Sequence, residues 1–380
     1  VTSNPFGDMF GDIFSMLSQQ GPDAWYTTAT QLALNIAKGD DGDPNPLPIE
    51  RQRLEELAPL VGRHVDALFG VASEPSVVTV NRSALTIAAL EQWRPLMEPM
   101  VSARPSSSEG LAPSSDELER SNDQLLNQIS STIGPLFTGF QMGSVAGHFS
   151  ARAWSLAVLP LPRLNDHHLL VVNNLANFAN EWSLERDEVY VFALAQEFVA
   201  SLVLSQPGTS DALRALLIDT VNESNAIQGN LMGRLQTMME QGDINEIMND
   251  PAALLDGITV PEESDATRAI NAAASVLLAF FSAAALDITQ TLLGPRPALA
   301  EAYARHRRSD ARGEDAAAAL FGIATQGPHH DAATAFVSTL TEAHSLSVFG
   351  ALLRVDGLPS ASELNNPNAW YERVTNSPLA

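Results

Sequence analysis

Apolar residues recur at three- and four-residue spacing along most of the chain, and the gaps between these runs carry Gly, Pro and polar clusters. Trp25, Ala29, Leu32 and Ile36 form one such stripe over 23–38, and Leu54, Leu57, Val61, Val65 and Leu68 form another over 49–69. The same period predicts helices over 82–97, 184–204, 209–222, 227–241, 266–293, 297–311, 314–324 and 330–346, and a long helix from Asp116 that breaks at Gly134-Pro135. Strand patterns are short and few: Val77–Val80 and Leu169–Val172 are β-prone. Asn173–Asn180 reads as a turn leading into a short helix, and the prolines of 159–164 (LPLPRL) exclude a continuous helix there. The expected fold class is therefore mainly α, a multi-helix bundle with at most a few short strands.

Three local features sharpen this reading. Ser183, with acids in the turn that follows, has the composition of a helix N-cap. Gln206-Pro207-Gly208 and Gly294-Pro295-Arg296-Pro297 mark helix stops. Gly139, Gly143 and Gly147 fall on every fourth residue, so on a helix they share one face and let a second backbone approach closely. A phosphate loop is excluded there, since no strand precedes and no Lys-Ser/Thr follows.

Domain organisation follows from the breaks. Residues 1–20 read as a flexible arm with one short amphipathic helix, 21–358 as a single large helical domain with a sub-boundary near the Ser/Pro-rich stretch 102–115, and 359–380 as a polar C-terminal tail. No internal repeat is evident.

Charge removes several function classes. The formal net charge is −24, and a surface of that sign repels phosphate backbones and anionic membranes, so nucleic-acid binding is not expected. Lys38 is the single lysine, a bias that reflects a GC-rich genome. The chain has no cysteine, which excludes disulfides, thiolate zinc sites and cysteine nucleophiles, and fits a reducing, cytoplasmic setting. No secretory signal is apparent in Val1–Gln20. The uncharged stretch Ala272–Leu286 is about 15 residues, short of a bilayer span, and suits a buried core helix, so no membrane span is expected.

The chemistry centres on the predicted helix at 184–204, which contains Gln196-Glu197-Phe198-Val199-Ala200. A zinc peptidase carries H-E-x-x-H in such a helix: two histidines at i and i+4 hold the metal from one face, and the glutamate acts as general base on the bound water. Here only the glutamate remains, as Glu197; Gln196 is a poor neutral ligand and Ala200 is none. If Glu197 is buried, it should pair with an arginine, with Arg152 and Arg214 as candidates, or have a raised pKa.

Features in order along the chain carry a family resemblance. They are Asn4-Pro5-Phe6-Gly7, Gly21-Pro22 before Trp25, the glycine face at 139–147, Leu169-Val171-Asn173-Asn174-Leu175 and Phe178, and the Glu197 helix. Behind them come Arg305-His306-Arg307-Arg308, Gly313, Phe321-Gly322-Ile323, Phe336-Val337, Leu340-Thr341-Glu342-Ala343 and Leu358-Pro359. In these the chain resembles the zincin-like metallopeptidases of actinobacteria and their relatives. The resemblance implies a zincin-like helical bundle. It also implies that intact members bind zinc through H-E-x-x-H and an E-G-H-like element on a later helix. Ser282 and Ala284 fall at the acid and histidine of that element, and 275–286 contains no His, Asp or Glu.

The expected function is thus a catalytically inactive family member that binds a peptide or protein, with Glu197 a relic base, Gln196, Ala200, Ser282 and Ala284 degenerate ligand positions, and no metal or other cofactor of its own. The alternative is an active metal-dependent peptidase or hydrolase with ligands from elsewhere, such as His148 or the His167-His168 pair with Glu197. A third reading is an assembly protein docked through its N-terminal arm. Of the eight histidines, the pairs His167-His168 and His329-His330 lie near turns beside Asp166 and Asp331 and read as solvated loop residues, while His148 reads as a packing residue. No G-x-S-x-G elbow, P-loop or G-x-G-x-x-G after a strand occurs.

Overall fold

The computed structural model describes residues 24–39, 42–72, 76–102, 139–165, 167–220, 222–223, 263–308, 312–324 and 327–376. The helices are α1 (Ala24–Lys38), α2 (Pro48–Phe69), α3 (Arg82–Ser102) and α4 (139–152), then α5 (Val172–Glu181), α6 (Arg186–Leu204), α7 (Pro207–Thr220) and α8 (Asp265–Leu293). The last are α9 (Pro297–Arg308), α10 (Arg312–Leu320), α11 (Pro328–His344) and α12 (Pro367–Asn376). Strands β1 (Val77–Val80) and β2 (His168–Val171) pair in parallel, Val77 opposite His168 and Val80 opposite Val171. The fold is mainly α, as the periodicity predicts. The expected arm at 1–20, the sub-boundary near 102–115 and the helices at 116 onward and 227–241 lie outside the described residues, apart from the first residue of the sub-boundary stretch.

Helix α6 runs through the centre. From Glu188 to Leu204 only Leu202 escapes burial, as expected of a helix that is apolar on every side. Its start differs from the sequence-based expectation. Ser183 is not the N-cap: it sits in the left-handed region (φ 53°) of the turn after α5. Glu185 caps instead, its N–H donating to Glu188 Oε1 at 3.1 Å in a capping box. The acids of this turn are also paired, Asp187 with Arg53 and Glu188 with Arg296 at 3.0 Å.

Helix α8 lies along α6, α11 packs on α8, and α2 flanks α6. Spanning 29 residues, α8 is long and apolar enough to cross a membrane by length and composition. Yet 78% of its most apolar window is buried inside the fold, which is the core role read for Ala272–Leu286. The glycines of α4 meet α1: a Cβ built on Gly139, Gly143 or Gly147 would fall 2.5–2.8 Å from Trp25 O, Ala29 O or Ala33 O. Close backbone approach is what they permit.

Within the stretch expected as a polar tail, the described residues up to 376 include a docked helix, α12. Trp370 of α12 is fully buried against Phe336 and Phe349, at 5.6 and 5.5 Å between ring centroids, and its Nε1 donates to Gly357 O at 2.9 Å. Arg373 of the same helix pairs with Glu363 at 2.6 Å. One aromatic face on a short helix outweighed a composition that reads as polar.

Candidate functional site

Residues 153–163 of the segment joining α4 to β2 are buried, unusual for a connection, because their backbone is tied down. Val171 N–H donates to Trp154 O at 2.8 Å, Leu161 N–H to Leu159 O at 2.9 Å, and Arg163 N–H to Leu204 O at 3.2 Å. Prolines 160 and 162 need no amide partner. This segment carries Trp154 to Gln196 and Arg163 to Glu197.

Gln196 is fully buried. Its Oε1 accepts from Trp154 Nε1 at 3.0 Å and its Nε2 donates to the Tyr303 hydroxyl at 2.6 Å. Ser282 gives its one hydroxyl hydrogen to Leu278 O at 2.7 Å, so the Tyr303 hydroxyl, 3.3 Å from Ser282 Oγ, is the donor of that contact. A polar chain therefore runs from Trp154 through Gln196 and Tyr303 to Ser282. Aromatic rings enclose it. Phe192 packs edge-on to Tyr303 at 4.7 Å, and His306 stacks on Trp154 at 5.4 Å with Phe178 edge-on at 4.9 Å. Burial, with the charges of Arg152 and Arg307, pushes the His306 imidazole down to about 3. It is a neutral ring wedged into the core.

Glu197 is paired with Arg163 at 3.1 Å, with side-chain exposures of 0% and 2%. Glu197 Oε1 and Arg163 Nη1 are buried without a hydrogen-bond partner among the described residues, so the pair is single-pronged rather than a fork. Such a pair is held by mutual neutralisation: neither charge is tolerable there alone. The arginines proposed from sequence are occupied elsewhere. Arg152 donates to the His306 carbonyl, and Arg214 lies 3.9 Å from Asp211.

Of the positions singled out from sequence, Gln196 and Ser282 are joined through Tyr303, while Ala200 and Ala284 are fully buried and apolar. Among the described residues no three His, Asp or Glu side chains are placed to share a metal. His148 is exposed rather than packed. His168 Nδ1 faces Ser76 O at 2.8 Å, and its ring packs edge-on to Phe198 at 4.7 Å. His329 is not a free loop residue: its Nε2 lies 2.9 Å from Glu263 Oε2. Trp154, Arg163 and Tyr303 were not marked by the sequence. Tyr303 alone carried a signal, lying on the inner stripe of α9 with Leu299, Ala302 and His306.

Beside this chain a groove of about 630 Å³ opens between α8, α9 and α11. Ser282 and Tyr303 form part of its floor, so it approaches Gln196 from the far side of the tyrosine.

The family model that matches the chain is described as zincin-like metallopeptidase and covers residues 25–371. A crystal structure from Chloroflexus aurantiacus, described as "a putative hydrolase with a novel fold", is similar with a TM-score of 0.59 at 16% identity, over 92% of this chain and 98% of that one. At that identity it shows the fold alone. No curated protein matches the chain.

The family match corrects the expectation that the chain has no cofactor: zinc is the group this family implies. The residues at the α6 motif do not suit it. The Gln196 carbonyl is already an acceptor for Trp154, Ala200 has no donor atom, and the lone carboxylate is neutralised by Arg163.

Proposed function

Because the chain belongs to the zincin-like metallopeptidase family while its motif helix is closed by internal partners, we propose that it is a catalytically silent member that binds a peptide or protein in the groove beside the motif. One observation carries the reading: both Gln196 and Glu197 are fully buried and spent on side chains of the same protein. A general base must reach the proton it removes, directly or through one water. Glu197 faces Arg163 instead. The groove keeps its opening toward solvent, so binding outlives the loss of hydrolysis.

The test is peptide cleavage. The full chain, supplied with zinc, is incubated with a mixed peptide library and products are read by mass spectrometry, alongside Glu197→Gln. The expected result is no cleavage beyond that of buffer. Cleavage that a chelator stops and Glu197→Gln abolishes would overturn the proposal.

A further inference from the structure

Three helices face the groove, each with one stripe. On α11 the lining residues His330, Thr334, Ser338 and Thr341 recur at three to four residues. At 1.5 Å rise per residue this stripe is about 16 Å long, the reach of about five residues of extended peptide at 3.3 Å each. Small side chains from α8 and α9, among them Ala279, Ala283, Ala300 and Ala304, make the floor apolar and shallow. The volume, about 630 Å³, lies within the range of ligand pockets.

Polar groups along α11 are poised as acceptors or stand without partners. Thr334 and Ser338 donate their hydroxyl hydrogens to the carbonyls of His330 and Thr334, at 2.9 and 2.8 Å, leaving oxygen lone pairs for an incoming N–H. Thr341 Oγ1 and His330 Nδ1 are buried with no partner among the described residues, a state that favours a ligand able to satisfy them.

Charge is gathered at one end. Arg307 and Arg308 close α9, and on the first turn of α11 the neutral ring of His330 stands next to Asp331, the single acid of the lining among the described residues. Helices α8 and α11 begin side by side, tied by the contact of His329 with Glu263 and by Ala324 N–H donating to Asn271 Oδ1 at 2.7 Å. Among the described residues the remainder of the groove lining carries no charge. On a chain of net charge −24, a cationic end to an otherwise uncharged groove is a selective feature. An anion on a ligand lying here belongs at its terminus, not along its length.

We propose that the groove binds the last four or five residues of a peptide chain, with the free C-terminal carboxylate at Arg307, Arg308 and His330 and small apolar side chains on the alanine floor. This rests on the peptide-binding reading above and names its ligand class. Arg308, exposed on the last turn of α9, makes the outer contact with the carboxylate.

The experiment uses three fluorescein-labelled pentapeptides of alanine, valine and leucine: one with a free C-terminal carboxylate, one amidated, and one amidated with a central aspartate. Binding to the full chain is followed by anisotropy. The expected result is tighter binding of the free acid by about tenfold over either amide, a difference of about 1.4 kcal/mol. Arg308→Ala should erase that preference, and Ser338→Trp, on an exposed wall position, should abolish binding of all three while circular dichroism stays unchanged. Equal binding of acid and amide, or equal binding of the aspartyl amide, overturns the carboxyl-terminus assignment while leaving peptide binding intact. No binding of any peptide overturns the ligand class. Zinc- and Glu197-dependent cleavage of these peptides would instead overturn the silent-scaffold reading, so the two failures are distinct.

Discussion

Removing the Arg163 guanidinium while keeping Glu197 would strand a carboxylate that has no exposure to water. Breaking a buried pair from one side costs about 3–5 kcal/mol, whereas replacing both partners by apolar groups is often neutral or stabilising. Arg163→Met is therefore expected to lower the unfolding free energy by that amount. The double variant Arg163→Met/Glu197→Leu should recover most of it, as read from urea denaturation of both proteins. A double variant as weak as the single one would show that the pair has a structural role beyond neutralisation. Tyr303→Phe makes a second case: it takes the acceptor from Gln196 Nε2 and leaves a buried donor, an expected loss of about 1–3 kcal/mol in the same assay. At this scale the sequence was only half legible. Gln196, Glu197 and Ala200 can be read as a broken motif because their spacing is local. Trp154, Arg163 and Tyr303 lie 42, 34 and 107 residues from their partners, and no local pattern encodes contacts that the fold alone creates.

Element by element, the glycine stripe of α4 offers the sharpest test of a sequence-level rule. Ala is the better helix former, by about 1 kcal/mol. Gly143→Ala nonetheless places a methyl 2.6 Å from Ala29 O, a backbone atom that cannot swing away, so α1 and α4 must separate. The expected net effect is destabilisation of about 1–3 kcal/mol. Gly350→Ala is the control, because its Cβ meets nothing within 4 Å, and it should stay within about 0.5 kcal/mol of the parent. Thermal and urea midpoints of the two variants check this. The helices, the two strands and this stripe were legible because apolar period and small-residue spacing act over one or two turns. Ser183 misled because the start of α6 is set by the Glu185–Glu188 box two residues on. The last segment misled because two apolar residues one turn apart, Trp370 and Val374, dock a helix whose sequence is otherwise mostly polar.

For the whole molecule, the buried imidazoles tie stability to pH. His306 has a folded pKa of about 3 against an ordinary value of 6.5, depressed by burial and then by Arg152 and Arg307. Between those values the unfolded chain holds a proton that the folded chain refuses, so stability falls as pH falls from 6.5 toward 3 and is flat for this group above 6.5. His330 is depressed in the same direction, by burial first and then by Arg307. Glu363 adds to the trend at lower pH. Burial raises its carboxyl, but the Arg373 and Ser360 hydrogen bonds outweigh that and hold it below the usual range. Its contribution is present above the unfolded carboxylate pKa and is lost as pH drops through the folded one. The net charge of −24 acts the other way in acid, since protonating surface carboxylates relieves self-repulsion. The interval from pH 7 to 5 lies above most carboxylate titration, so it isolates the histidines. Across it His306 alone should withdraw about 2 kcal/mol of stability. His306→Asn, which keeps a polar plane in the stack with Trp154 but cannot titrate, should be less stable at pH 7 yet lose about 2 kcal/mol less than the parent on going to pH 5. A parent and variant with parallel pH profiles would show that the ring at 306 takes up its proton without leaving the core.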